Sequence, residues 1–140
     1  MKTLLFFLVL IAMVYTDQSS AKLTLTVNKV KNDKGVVRVL LFDKAAGFPD
    51  DVENAVKNAS VKITGDKAVI TFDNLSPGTY ALSVFHDSEN TGKLRTNAFG
   101  IPRDGYGFSN NASGTFGPPS FEKAAFKVNA GDNKVSIDLK

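Results

Sequence analysis

The residues best equipped for acid–base chemistry lie together at the end of one apolar run. His86 is the only histidine of the chain, and Asp87 and Glu89 follow it closely. A histidine oriented by a carboxylate is a common general base, so one hypothesis is a hydrolase-type enzyme centred on His86. Because neighbouring residues of a strand point to opposite faces, Asp87 can orient His86 only where the strand has ended. This geometry favours a structural role for His86 at the end of a sheet.

Motifs that supply a nucleophile, a zinc site or a phosphate cradle are missing from the sequence. It has no serine in a G-x-S-x-G elbow, no H-E-x-x-H pair and no glycine-rich phosphate or dinucleotide loop. With one histidine and no cysteine, a zinc site would depend on carboxylates. We therefore expect a non-enzymatic protein with no catalytic residues.

The segment from His86 to Phe121 indicates a different kind of site. It holds six of the eleven glycines and three of the five prolines, so neither a helix nor a strand is expected along it. Its five aromatic residues argue against disorder. We expect an ordered loop that binds a small molecule, a glycan or an envelope protein. The candidate ligand-binding residues are His86, Arg103, Tyr106, Ser109, Asn110 and Asn111.

The aromatic residues of this segment are expected to differ in burial. Large apolar side chains are more often packed than displayed, so Phe99 and Phe108 are predicted to form a small second core under the loop. Tyr106 lies between two glycines and is the better candidate for display. If the loop only seals the fold, the protein is instead a structural or accessory domain of the cell envelope.

Residues 1–21 have the three parts of a signal peptide. A basic start is followed by an apolar run of about thirteen residues and a polar stretch in which Ser19 and Ala21 suit a cut after Ala21. The apolar run is shorter than the roughly twenty residues that span a bilayer. We predict export to the periplasm or the extracellular medium, one mature domain over residues 22–140, and no membrane span after cleavage.

The composition of the mature chain restricts its stabilising forces and its partners. There is no cysteine, so burial of apolar side chains rather than disulfides must stabilise the fold. Loss of Lys2 and Asp17 with the leader keeps the net charge at +3, and the basic residues form no run. A nucleic-acid surface normally concentrates basic residues, so we expect no nucleic-acid partner.

Alternation of apolar and polar residues predicts seven strands. They cover residues 22–28, 36–42, 61–63, 68–72, 80–86, 124–128 and 135–139. The first two strands are expected to pair as a hairpin, and so are the third and fourth. Residues 44–59 are predicted to form a loop with one helical turn. This pattern predicts an all-β fold: a single Ig-like or transthyretin-like antiparallel β-sandwich with one long ordered loop.

Three blocks of sequence carry a resemblance to a known family. They read YALSVFHD, NTGKLRTNAFGIP and GYGFSNNASGTFGPPSFEKAAF, and they resemble the DUF2141 family of exported bacterial proteins, which has no assigned function. The likeness covers most of residues 22–140. The block FDNLSPGTYALSV is also similar to transthyretin-like and carboxypeptidase-regulatory-like sandwiches, which implies a fold and no chemistry.

The family resemblance also implies a calcium loop after His86. Such a loop needs oxygen ligands at positions one, three, five and nine and a glycine at position six. The candidate metal ligands at the first three positions are Asp87, Glu89 and Thr91. Arg95 and Ala98 stand at positions nine and twelve, where the metal would need oxygen. The alternatives are a degenerate calcium site and a solvated turn built on Asn90 and Gly92, and no other cofactor is expected.

Overall fold

A computed structural model describes residues 19–140, so most of the predicted signal peptide lies outside the described residues. Eight strands form two sheets. They are β1 (Ala21–Asn28), β2 (Val36–Phe42), β3 (Lys57–Lys62), β4 (Ala68–Leu75), β5 (Gly78–Asp87), β6 (Tyr106–Phe108), β7 (Phe126–Val128) and β8 (Gly131–Asp138). One sheet has the order β4-β1-β8 and the other β3-β2-β5-β6, with β7 beside the start of β5. The predicted all-β sandwich is confirmed.

The strand pairing differs from the sequence prediction in two respects. The pairs are antiparallel except for β1 and β8, which run parallel along the whole of β1. The two predicted hairpins are wrong, because β1 and β2 lie in different sheets and so do β3 and β4. Both connections cross between the sheets, which lets each strand bury its apolar face in the same core. Only the bridge between Thr64 and Lys67 remains of the second hairpin.

The main core fills the space between the two sheets. Alternate residues of the central strands β1, β2 and β5 point into it, as the period-two pattern predicts. Its fully buried leucines, each with no exposed surface, are Leu23, Leu25, Leu41 and Leu82. Since the chain has no cysteine, this burial is what stabilises the sandwich.

Short helical turns occupy the connections. The turn predicted in residues 44–59 is a 3₁₀ turn over Val52–Asn54, capped by the carboxylate of Asp51, which accepts a hydrogen bond from the Glu53 amide at 3.0 Å. One α-helical turn, α1, covers Phe121–Ala124. Among residues 19–140, no helix is long and apolar enough to span a bilayer.

The predicted cleavage site lies next to the first residue of β1. Ala21 is buried and pairs with Leu75 on one side and Gly131 on the other. A cut after Ala21 would therefore leave β1 to begin at Lys22. Cleavage itself remains a prediction.

The two ends of the sandwich carry different connections. At one end, where β5 finishes, lie the connections 29–35, 63–67 and 88–105; we call this the loop end. At the other, the far end, β2 finishes and the connection 43–56 leads into β3. The candidate residues from His86 to Arg103 are therefore all at the loop end.

Candidate functional site

Residues 95–103 form a narrow hairpin at the loop end. Thr96 and Pro102 form a β-bridge, and the Arg103 amide donates a hydrogen bond to the carbonyl oxygen of Arg95 at 2.8 Å. At the tip, the side-chain oxygen of Asn97 accepts hydrogen bonds from the amides of Phe99 at 2.9 Å and Ile101 at 3.1 Å. An asparagine that bonds its own following backbone in this way holds a tight turn. The hairpin therefore has a defined shape although it lies outside the sheets.

An ion pair between Arg95 and Asp104 fixes the base of the hairpin. Nη2 of Arg95 donates to Oδ1 of Asp104 at 2.7 Å, and the Arg95 amide donates to Oδ2 at 3.1 Å. The hydrogen bonds from the Arg95 side chain hold the pKa of the Asp104 carboxyl below its usual value. Arg95 also donates to Glu89 at 2.8 Å. Arg95 thus joins the two arms of the connection.

The Asp87 carboxylate organises the start of the connection from a buried position. It accepts hydrogen bonds from Nε of Arg38 at 2.5 Å, from the Thr91 amide at 2.9 Å and from the Gly92 amide at 2.7 Å. Burial would raise the pKa of the Asp87 carboxyl, but these hydrogen bonds and the charge of Arg38 together hold the pKa below its usual value. Asp87 is therefore an ionised anchor for the turn.

The candidate calcium ligands contact other groups of the same chain. Asp87 faces Arg38, and Glu89 is exposed and paired with Arg95 at 2.8 Å. The Thr91 hydroxyl lies 3.2 Å from the carbonyl oxygen of Lys93. Within residues 19–140, no three acidic or histidine side chains are grouped as a metal site. Two guanidinium groups thus supply positive charge beside the carboxylates, and titration with calcium tests between the degenerate calcium site and the solvated turn.

His86 is buried and does not form a dyad with Asp87. Its Nε2 lies 2.7 Å from the carbonyl oxygen of Lys34, and its amide donates to the carbonyl oxygen of Gly105 at 2.8 Å. It therefore ties the connections 29–35 and 88–105 to the end of β5. Gly35 has a φ of +68° and lies against the Asp87 backbone, where a Cβ atom would collide with the carbonyl oxygen.

The candidate residues after β6 make hydrogen bonds within the fold. The buried Ser109 hydroxyl accepts from the Leu82 amide at 2.9 Å and donates to the carbonyl oxygen of Ala124 at 2.5 Å. The Asn110 side chain donates to the carbonyl oxygen of Ala125 at 2.8 Å. These bonds fasten the turn after β6 to β5 and to the end of α1.

Asn111 and Tyr106 are also held by neighbours, whereas Arg103 is exposed. The Asn111 side-chain oxygen accepts a hydrogen bond from the Asp138 amide at 2.9 Å. Tyr106, predicted to be displayed, is half-buried and packs edge-on against Phe108 with ring centroids 6.0 Å apart. Arg103 is exposed beside the hairpin base. A ligand-binding role for these residues stays a prediction.

The prediction of a second core is confirmed for Phe108 and wrong for Phe99. Phe108 is 8% exposed and packs with Phe48, ring centroids 6.1 Å apart, over the outer face of β5. Phe99 is 87% exposed at the hairpin tip, and Ile101 is 58% exposed beside it. Two short arms that meet in a tight turn offer no surface broad enough to cover a phenylalanine ring.

Phe99 and Ile101 were therefore not recognised from the sequence as displayed residues. The signal that marks them is their position between turn-forming residues. Asn97, Gly100 and Pro102 surround them, and such residues concentrate at loop tips. Apolar residues inside a run of turn formers are better candidates for display than for burial.

A pocket of about 250 Å³ lies away from this site, at the far end of the sandwich. Its lining includes Ala21, Asp73 and Asp132 and none of the candidate ligand-binding residues. The pocket is therefore separate from the hairpin that displays Phe99 and Ile101.

Comparison with known proteins places the chain in a family. A search among curated proteins finds no match. The family model described as an uncharacterised protein conserved in bacteria, DUF2141, matches residues 25–136, which include the whole hairpin and all the candidate site residues. The match extends over well more than half of the chain, and the chain therefore belongs to the DUF2141 family.

Proposed function

We propose that the chain is an exported, non-enzymatic binding module that recognises a ligand or an envelope partner through residues 86–121. The observation that carries the proposal is the display of Phe99 on a hairpin with a fixed backbone. Aromatic residues, phenylalanine among them, are enriched in the buried cores of protein interfaces relative to the rest of the surface.

The construction of the loop supports recognition because it lowers the entropic cost of binding. A loop that is already ordered loses little conformational freedom when its partner arrives. The Arg95–Asp104 pair fixes the hairpin base and Asn97 fixes its tip. The apolar side chains of Phe99 and Ile101 are thus presented in a defined arrangement, with the exposed Arg103 nearby.

The surroundings of His86 support the non-enzymatic part of the proposal. Its ring nitrogen Nε2 is engaged with the Lys34 carbonyl, and the neighbouring carboxylate of Asp87 is engaged with Arg38. A general base needs a free nitrogen within reach of the proton it removes. His86 and Asp87 instead contribute hydrogen bonds that hold the loop.

The test is recovery of a partner by the tagged protein from the envelope of the cells that produce it. We expect Phe99→Ala and Arg103→Ala to lose most of the recovered partner while the free energy of unfolding changes by less than about 0.5 kcal/mol. Val52→Ala is the matched control, since Val52 is 53% exposed at the far end. Recovery that is equal in all three variants and the parent protein would contradict recognition through the loop and favour a structural domain.

A further inference from the structure

Charge is distributed unevenly between the two ends of the sandwich. The loop-end connections 29–35, 63–67 and 88–105 carry seven basic residues against four acidic ones. The far-end connection 43–56 carries one lysine against four acidic residues. The connections of the loop end are therefore net positive, and the far-end connection 43–56 is net negative.

The positive charge of the loop end is available to a partner. Two of its four carboxylates, Glu89 and Asp104, are paired with Arg95. Other basic side chains are exposed and make no ion pair within residues 19–140. They are Lys31, Lys34, Lys67, Lys93 and Arg103.

Apolar side chains stand out from the same end. Phe99 and Ile101 occupy the hairpin tip, and in the chain Lys93 precedes them and Arg103 follows them. Phenylalanine and aliphatic side chains enter the boundary between headgroups and acyl chains, while lysine and arginine interact with anionic headgroups. A soluble polyanion would engage the cations and leave Phe99 in water, so an anionic bilayer fits both features better.

We propose that the hairpin docks the domain on an anionic lipid bilayer, with Phe99 and Ile101 entering the headgroup region and the exposed cations against lipid phosphates. The proposal rests on the function proposed above and names the partner class for the same loop. The acidic far end then faces away from the membrane, so the charge asymmetry also sets the orientation. Two inserted side chains and a few cations give reversible, salt-sensitive binding.

The first test is co-sedimentation of the protein with vesicles. We expect binding to vesicles of equal parts phosphatidylglycerol and phosphatidylcholine and little binding to phosphatidylcholine alone. Binding should fall about tenfold when salt rises from about 0.05 M to about 0.5 M, because screening weakens the attraction. Phe99→Ser should lower the partition coefficient about tenfold, whereas Val52→Ser should leave it unchanged. All variants have the same residues 1–21, so any vesicle binding by that segment is equal in all of them.

The second test reads insertion directly from fluorescence. The chain has no tryptophan, so the Phe99→Trp variant carries a single reporter at the tip. Its emission should shift to shorter wavelength on addition of the anionic vesicles, and the emission of the Val52→Trp variant should not. This comparison does not depend on a loss of function and is unaffected by any effect of Phe99→Ser on folding.

The outcomes separate the lipid proposal from the broader one. Absence of vesicle binding, or of the fluorescence shift at position 99, overturns docking on lipid. If an envelope protein is still recovered through Phe99, the binding module remains and its partner is a protein. Vesicle binding that is equal in the parent protein and in Phe99→Ser also overturns the proposal, because another surface must then be responsible.

Discussion

Arg95 and Asp104 are joined at the base of the hairpin by three hydrogen bonds between their side chains and one from the Arg95 backbone. Nε of Arg95 lies 3.1 Å from both carboxylate oxygens, and Nη2 lies 2.7 Å from Oδ1. Side-chain pairs with two parallel contacts fix orientation as well as distance. This pair therefore determines how the hairpin, with Phe99 at its tip, leaves the sandwich.

Loss of the Asp104 charge should loosen the hairpin before it affects the core. Asp104→Asn weakens the contact with Arg95, and the amides of Arg103 and Asn97 depend on the hairpin for their hydrogen bonds. We expect their hydrogen-exchange rates to rise about tenfold, with core amides unchanged, because local opening is less costly than global unfolding. Asp50→Asn, an exposed far-end variant, is the control. Equal exchange at both amides in Asp104→Asn and the parent protein would show that the pair does not hold the hairpin.

Acid should destabilise the fold through its ion-paired carboxyls. The pKa values of Asp87 and Asp104 are lowered in the folded state, so the unfolded chain binds protons at higher pH than the folded chain does. Their stabilisation is complete above about pH 4 and is lost as the pH falls through the lower folded values. The free energy of unfolding, measured in urea, should therefore drop below about pH 4, and less steeply in Asp104→Asn. The same slope in both proteins would contradict this account.

Truncation of Phe108 should lower the free energy of unfolding much more than truncation of Phe99. Phe108 is buried among aromatic rings, so Phe108→Ala should cost about 3 kcal/mol of unfolding free energy. Phe99 is exposed, so Phe99→Ala should cost less than about 0.5 kcal/mol. Chemical denaturation of the two variants and the parent protein measures both changes in unfolding free energy. Similar costs for both would place Phe99 in the core and remove it as a displayed residue.

Calcium should leave the melting temperature unchanged at millimolar concentration. Asp87 already accepts three hydrogen bonds, one of them from Arg38, and Glu89 is paired with Arg95. A dication would have to displace these contacts in a site that lacks oxygen ligands at positions nine and twelve. Because a ligand that binds only the folded state must stabilise it, thermal melts with calcium and with chelator are sufficient. A higher melting temperature in calcium would contradict this prediction and support calcium binding by the loop after His86.

Most strand positions followed from the sequence, whereas strand partners did not. The alternation that predicted strands at 22–28 and 36–42 reports which side chains face the core. It cannot report which sheet each strand joins, since both sheets bury their faces in one core. β6 was missed because its three residues contain Gly107, where a Cβ atom would lie 2.7 Å from Ile137. That glycine permits close packing against β8 instead of marking a turn.

The candidate site was located from the sequence, but the roles of its residues were not. The concentration of glycine, proline and aromatic residues indicated an excursion after His86, but the prediction of one loop without a strand was wrong, because β6 (Tyr106–Phe108) divides residues 86–121. Ser109 resembles a surface polar residue in sequence, yet its hydroxyl is buried between the Leu82 amide and the Ala124 carbonyl. Phe99 resembles a core residue in sequence, yet it is displayed. Composition identifies residue types, whereas contacts between distant parts of the chain decide burial.

The central claim is that Phe99 meets a partner in the cell. The most direct measurement replaces Phe99 with a photoreactive phenylalanine analogue and, in a matched protein, replaces Val52 in the same way. After irradiation of living cells, adducts of protein or lipid are identified by mass spectrometry. Our account predicts adducts from position 99 and none from position 52. No adduct at position 99, or equal adducts at both positions, would contradict it.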